Sequence, residues 1–316
     1  MNVKTHIFYF IINPTSGGGK GIKQWQNLKK QLVENNIPFE NIFTKNHGHA
    51  IQLAQEAAKN GFEHIIGLGG DGTANEIANG ILNATHLNPK IKPAMSLFSC
   101  GTGNDWVKEH KISRNTKKFV LALKNLQYTQ QDVGLIQYTN KNEQLDQKYF
   151  INVAGLAYDA FVVKQTENIR KSIFLRKFYL LHIFKNLLKY KPEKVQISTE
   201  NKTWEQIVYT INIGQCRFSG GNMQLVPHAK PNSGKLAVTV AGSLSKLEIL
   251  LQTPRFYNGK LTQHKAIEAF ECDHIEIKSL NDKQVMIEAD GEFLGYTPVK
   301  ITNLSKKLLL FGVNSR

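Results

Sequence analysis

Cysteine is scarce: Cys100, Cys216 and Cys272 are the only three in 316 residues. Odd in number and far apart, they match neither a disulfide framework nor a paired-cysteine zinc site, and a reducing cytoplasm suits them. Long apolar runs are missing too. The N-terminal stretch MNVKTHIFYFII stops at Asn13-Pro14, short of a secretory core or a spanning helix, and it reads as a buried strand. Elsewhere lysines and arginines interrupt every candidate before about 18 apolar residues accumulate. The expectation is a cytoplasmic protein, attached to a membrane peripherally if at all. Negative charge is in short supply: 25 Asp and Glu stand against 40 Lys and Arg, a formal charge of +15. Such an excess favours an anionic partner (nucleotide, nucleic acid or acidic bilayer) or serves solubility, and charge alone does not choose. The histidines show no H-E-x-x-H or other regular metal spacing.

What is present is a chain about twice the length of an average domain, long enough for two hydrophobic cores. Up to about residue 125, short apolar runs alternate with amphipathic stretches. His6–Ile12, Phe39–Thr44, His64–Gly67 and Ala94–Ser99 read as strands; Gly21–Asn35, Ala50–Asn60 and Ala74–Asn83 read as helices. That alternation predicts a parallel α/β sheet. From about 131 onward the period becomes two, as in Val195/Ile197, Ile207/Tyr209/Ile211/Ile213, Leu236/Val238/Val240, Ile275/Ile277 and Val285/Ile287, which predicts an antiparallel sheet or sandwich. The fold class is therefore α/β plus all-β, with a first domain at 1–130 and a second at 131–303. The last run, Leu308–Val313, is a strand able to return to either domain, so 304–316 is a candidate completion of the first. A basic, aromatic helical insertion occupies 164–194. It spaces Phe174, Phe178, Leu181 and Phe184 along one helical face among Arg170, Lys171, Arg176, Lys177 and Lys189. Such a segment suits an anionic bilayer surface, or packs its apolar stripe on the sandwich.

Three glycine-rich turns follow three predicted strands: Asn13-Pro-Thr-Ser-Gly-Gly-Gly-Lys-Gly21, Gly69-Gly-Asp-Gly-Thr73 and Gly101-Thr-Gly-Asn-Asp105. In an open parallel sheet, strand carboxyl ends line one crevice, so all three turns can meet at one ligand. Glycines there let backbone amides approach phosphate oxygens, and helix N-termini favour negative charge. The first turn is not a P-loop, because Gly21 follows Lys20 where Ser or Thr is needed and Pro14 takes the leading glycine position. Gly67, Gly69 and Gly72 fit a dinucleotide fingerprint formally, yet Asp71 sits inside it, and a carboxylate beside a pyrophosphate needs a cation between them. Asp71 thus reads as part of a Mg²⁺ network for phosphoryl transfer, or as a plain Asp-Gly turn former. Thr73 and Glu76 fit an S/T-x-x-E capping box for the next helix. Asp290-Gly291, on the residues alone, fits a hairpin turn.

Asn13-Pro14 with its glycine run, Gly-Gly-Asp-Gly-Thr-Ala-Asn-Glu and Gly-Thr-Gly-Asn-Asp together resemble the diacylglycerol kinase and sphingosine kinase family, in particular its compact bacterial lipid kinases. Asp132-Val-Gly, Asn152-Val-Ala-Gly-Leu-Ala-Tyr-Asp159, Gly220-Gly221-Asn222 before Pro227, and Glu288-Ala-Asp-Gly-Glu292 extend the resemblance along nearly the whole chain. It implies a nucleotide-binding α/β domain related to NAD kinases, a β-sandwich domain, and an active site in the cleft between. Carried over, Asn13, Thr15, Gly69, Gly70, Gly72, Thr73, Gly101, Thr102, Gly103 and Asn104 would hold ATP. Asp71, Asp105 and Asp132 would serve Mg²⁺, and Asp290 would be the general base with Glu292 beside it. In relatives an acidic segment binds a structural Mg²⁺ where this chain has Pro231-Asn232-Ser233-Gly234, and neutral Asn and Ser are poor ligands for that ion. The expected activity is transfer from Mg·ATP to the hydroxyl of diacylglycerol or a related membrane lipid, giving phosphatidic acid in the first case. Alternatives are a NAD kinase, which shares the Gly-Gly-Asp-Gly-Thr turn, and a non-catalytic basic module for nucleotides or membranes. No nucleic-acid partner is expected, and a homodimer is left open.

Overall fold

The computed structural model describes residues 4–101, 104–170, 187 and 190–313. They fall into two compact units, Met1–Val133 with Lys306–Arg316, and Gly134–Ser305.

In the first unit, β1 (Lys4–Ile12), β2 (Phe39–Phe43), β3 (Phe62–Gly69) and β4 (Ala94–Ser99) run parallel in the order β2-β1-β3-β4. The end of the long strand β17 (Glu292–Phe311) adds in parallel beside β4 through Leu309 and Leu310. The C-terminal run thus returns to this unit. Strands of a parallel sheet are covered on both faces and read as continuous apolar runs, as β3 and β4 do with nearly every residue buried. The helices carry the complementary stripes. After the short turn α1 (Ser16–Gly19), α2 (Gly21–Glu34) buries Gly21, Trp25, Leu28 and Leu32, a single face at helical spacing. Helices α3 (His49–Lys59) and α4 (Asp71–Leu87) approach closely at Gly80, where a Cβ would stand 2.3 Å from the Ile51 carbonyl oxygen. Two further helices, α5 (Asp105–Glu109) and α6 (Thr116–Lys124), are too short for the periodicity to have announced them.

Helix α4 begins earlier than its apolar pattern suggests. A single residue, Gly70, separates it from β3, so Asp71 is already helical and Thr73 lies inside the first turn. The capping box read at Thr73 and Glu76 consequently does not form. The Glu76 carboxylate instead accepts the amides of Gly48 and Ala50 at 3.0 and 3.1 Å, capping α3, whose own N-cap Gly48 has no side chain to do so.

In the second unit, β5 (Tyr128–Asn140) leads in from the first and pairs with β6 (Leu145–Phe150). The antiparallel order β14 (Ile267–Cys272), β13 (Leu236–Ala241), β10 (Thr210–Gly214), β7 (Val153–Ala157), β16 (Met286–Ala289), β17 forms one layer. A second ribbon, β9 (Thr203–Val208), β8 (Glu193–Thr199), β15 (His274–Ser279), joins β17 further along. Alternate residues of these strands, among them Val195, Ile197, Ile211, Ile213, Val238, Val240, Ile275, Ile277 and Ile287, make one buried core, as the period of two requires. One alternating run breaks. Ile207 is 51% exposed while Ile211 and Ile213 are fully buried, because β9 ends at Val208 and the chain changes partners from β8 to β7 and β13. Helix α7 (Tyr158–Arg170) follows β7 directly. Most of the 164–194 insertion, including Phe174, Arg176, Lys177, Phe178, Leu181 and Phe184, lies outside the described residues. No helix among the described residues is long and apolar enough to cross a membrane.

Replacing Glu76 by Ala is expected to lower the unfolding free energy by about 1–2 kcal/mol in urea denaturation, since two α3 amides lose their acceptor. Glu76→Gln, which keeps one carbonyl oxygen, should lose less.

Candidate functional site

The three glycine-rich turns leave the carboxyl ends of β1, β3 and β4, neighbouring strands of one parallel sheet. They are locked to one another by backbone contacts: the Asn13 amide donates to the Leu68 carbonyl and the Cys100 amide to the Gly69 carbonyl, each at 2.9 Å. Asn13 Nδ2 donates to Thr73 Oγ1 at 3.3 Å, and Asn13 Oδ1 accepts the amide and hydroxyl of Thr15 at 3.1 and 3.0 Å. Glycine is required where the turns touch. Gly17 has a φ of 64°, and a Cβ there would stand 2.1 Å from the Cys100 carbonyl oxygen. A Cβ on Gly101 would meet the Gly70 Cα at 3.0 Å. Asn13, Thr15, Gly69, Gly70, Gly72, Thr73, Gly101 and Asn104 are therefore brought into one neighbourhood, while Thr102 and Gly103 lie outside the described residues.

Asp71, the first residue of α4, ties the second turn to the third. Its Oδ2 accepts the Asp105 amide at 3.2 Å and its Oδ1 the Trp106 amide at 3.1 Å, so one carboxylate satisfies the start of α5. Trp106 is wholly buried and donates its indole N–H to Gln131 Oε1 at 2.9 Å. Asn104, with a φ of 55°, donates Nδ2 to the Gly101 carbonyl at 2.8 Å and accepts from the Ser99 hydroxyl. Asp105 is buried beside Asp71. Asp132 is fully buried, and its Oδ1 accepts the Lys306 amide at 2.7 Å, which anchors β5 to the returning end of β17.

The donor chemistry can be tested against nucleotide and metal. Among the described residues no side chain caps α4 at Gly70, and first-turn amides without a side-chain cap are the donors a phosphate oxygen needs. Among the described residues no group of three or more His, Cys, Asp or Glu could hold a metal ion. Two carboxylates, Asp71 and Asp105, do not make an all-protein cage for Mg²⁺, which would need waters and phosphate oxygens to complete its shell.

In the second unit, Asp290 and Gly291 form the two-residue hairpin turn between β16 and β17, with φ of 49° and 80°. The turn docks on 151–153. The Asp290 amide donates to the Val153 carbonyl at 2.9 Å, and its carboxylate accepts the amides of Ile151, Asn152 and Val153 at 2.9, 2.9 and 3.1 Å. Three of the roughly four lone-pair positions of that carboxylate are thus taken. Glu292, two residues on, is ion-paired with the Lys148 ammonium and is 40% exposed. The structure keeps the two acids together in sequence and gives them different surroundings.

A buried polar row was not visible in the sequence. Thr239, Asn212, Gly155 and Glu288 pair successively across β13, β10, β7 and β16, so they share one face. Where Gly155 would carry a Cβ, Glu288 Oε1 stands at 2.6 Å and Asp159 Cβ at 3.0 Å. Asp159 accepts from the Thr210 hydroxyl at 3.0 Å, and burial pushes its carboxyl up to about 6, against the lowering effect of hydrogen bonds from Thr210 and Asn212. No local signal announces the row, because strand register creates it.

Two predictions follow from these carboxylates. Asp290→Ala should cost about 2–3 kcal/mol of stability in urea, since backbone amides lose a charged acceptor. Asp159 has a folded pKa raised from 3.8 to about 6, so its contribution is complete below the unfolded value and is lost as pH rises through the folded one. His110, buried and lowered to about 4, has the opposite slope, so the readout must be a difference. The stability of Asp159→Asn relative to wild type should rise by about 2 kcal/mol between pH 4 and pH 6.

Comparison with known proteins yields two adjoining matches. Residues 8–136 match the family described as the diacylglycerol kinase catalytic domain, and residues 152–312 match that described as the YegS C-terminal NAD kinase beta sandwich-like domain. The chain is 26% identical over 306 residues to YtlR of Bacillus subtilis (strain 168), which carries a lipid-kinase name, covering 94% of this chain and 96% of that one. It is 24% identical over 304 residues to a diacylglycerol kinase of Staphylococcus aureus (strain bovine RF122 / ET3-1), covering 96% and 91%. Among solved structures, a diacylglycerol kinase of Bacillus anthracis str. Sterne superposes with a TM-score of 0.72 at 20% identity, covering 99% and 98%. Yeast NADH kinase gives 0.52 at 13% identity over 97% and 82%, a likeness of fold.

Proposed function

We propose, from the premise that this chain belongs to the diacylglycerol kinase family of lipid kinases, that it transfers the γ-phosphoryl group of ATP to the hydroxyl of diacylglycerol. The observation that carries the reading is the convergence of three glycine-rich turns at the ends of β1, β3 and β4, with Asp71 fastening two of them. Kinase membership implies ATP as donor; the lipid and the metal are our inference.

Phosphoryl transfer asks the protein mainly for positioning and charge neutralisation. The uncapped start of α4 and the Asn13–Thr73 pair hold the phosphates, and the glycines let main-chain amides reach them. Mg²⁺ would be held by Asp71 and Asp105 with waters, and it supplies neutralisation of the phosphate charge. Asp132 positions the sheet through Lys306. In the second unit the carboxylate suited to take the hydroxyl proton is Glu292, which is partly exposed, and Lys148 orients it. Asp290 positions Glu292 by fixing the turn on the amides of 151–153. As the hydroxyl oxygen bonds to the γ-phosphorus, its proton passes to Glu292 and ADP leaves with the bridging oxygen. With Asn232 and Ser233 in place of acids, no structural Mg²⁺ is assigned to that segment.

The test is incubation with Mg²⁺, γ-labelled ATP and mixed micelles carrying diacylglycerol, monoacylglycerol, a sphingoid base, a ceramide-like lipid or phosphatidylglycerol, with NAD in a separate arm. Label in phosphatidic acid is expected. Glu292→Gln should lower kcat by about 10²–10⁴-fold with an unchanged Tm, whereas Asp290→Asn should lower both. Label in NADP, or in no product, overturns the reading.

A further inference from the structure

Helix α8 (Lys246–Gln252) and the short helix α9 (Arg255–Asn258) follow β13 in the second unit. Ser245 and Glu248 close a capping box on α8, with the Ser245 hydroxyl accepting the Glu248 amide at 3.2 Å and the Glu248 carboxylate accepting the Ser245 amide at 3.0 Å. One side of this element is core: Leu244 and Ile249 pack on Tyr158, Val162, Leu187 and Tyr209. The other side is apolar and uncovered. Leu247 is 66% exposed, Leu250 39% and Leu251 67%, at spacings of three and four that put them on one helical face, and Tyr257 follows at 45%. Single exposed leucines are ordinary; three on one face of a seven-residue helix, none needed for the core, mark a surface made to be covered.

Charge identifies the cover. Residues 242–266 contain the exposed Lys246, Lys260 and Lys265 and a single carboxylate, Glu248, which is spent on its own cap, while Arg255 keeps one guanidinium nitrogen buried. An apolar face on a segment rich in exposed cations suits a surface that is oily within and anionic at its edge, and a protein partner would have to supply acids around an apolar groove. We propose that α8 and the following turn dock this chain on an anionic lipid bilayer, with Leu247, Leu250 and Leu251 in the acyl boundary and the lysines among the head groups. This segment is distinct in sequence from the 164–194 insertion. It draws its purpose from the lipid-kinase reading, but it is measured without ATP, so the two fail separately.

The experiment is co-sedimentation of the full chain with phosphatidylcholine vesicles, with and without phosphatidylglycerol, for the wild type, Leu247→Asp/Leu251→Asp and Lys260→Glu/Lys265→Glu. The wild type should bind anionic vesicles. The leucine variant should partition at least about tenfold less, with unchanged Tm because both side chains are exposed. The lysine variant should lose most of the preference for anionic over neutral vesicles. Equal sedimentation of wild type and leucine variant overturns the proposal, as does a wild type that ignores anionic vesicles. A wild-type dimer that the leucine variant turns to monomer without loss of vesicle binding assigns the face to a second copy of the chain, and likewise overturns it.

Discussion

The carboxylate of Asp71 is the constraint on which the first unit's chemistry depends. Placed at the first residue of α4, it accepts the amides of Asp105 and Trp106, and so makes the end of β3 and the end of β4 one object. Charged acceptors hold amides more strongly than neutral ones, and Gly70 and Gly101 let the two backbones close to contact. Trp106, sealed in the interior and bonded to Gln131, carries the same tie into β5. On the proposed reading, a phosphate that enters this assembly meets main-chain donors at the start of α4 that the fold has already placed.

The second unit solves a related problem with the same device. Asp290 is a turn residue whose carboxylate gathers three successive amides, leaving Glu292 at a fixed point of β17. Two acids separated by one glycine thus have different surroundings: one accepts three backbone amides, the other is partly open and faces an ammonium. Family membership supplies the kinase class, and these surroundings support the roles proposed for the two acids.

Much of the fold is legible in the sequence because it rests on periodicity. Continuous apolar strands and striped helices announce the parallel sheet, and alternation announces the antiparallel one. The glycine turns are legible as well, since the positive φ of Gly17 and the contact of Gly101 with Gly70 admit no other residue easily. What stays hidden depends on distance in sequence. Glu76 matches a local capping box and yet caps a different helix, because a one-residue connection starts α4 early. The docking of Asp290 on the amides of 151–153, the pairing of Lys148 with Glu292 and the buried row from Thr239 to Glu288 are products of strand register. A motif shows which residues matter; it does not show that Asp290 has few lone pairs to give.

The central claim is that the turns at β1, β3 and β4 form a phosphate site held together by Asp71. Calorimetric titration of Mg·ATP into the wild type and Asp71→Ala, at equal fractions folded, tests it most directly. The account predicts saturable binding by the wild type and at least about tenfold weaker binding by the variant. Equal affinity in a folded variant would contradict it.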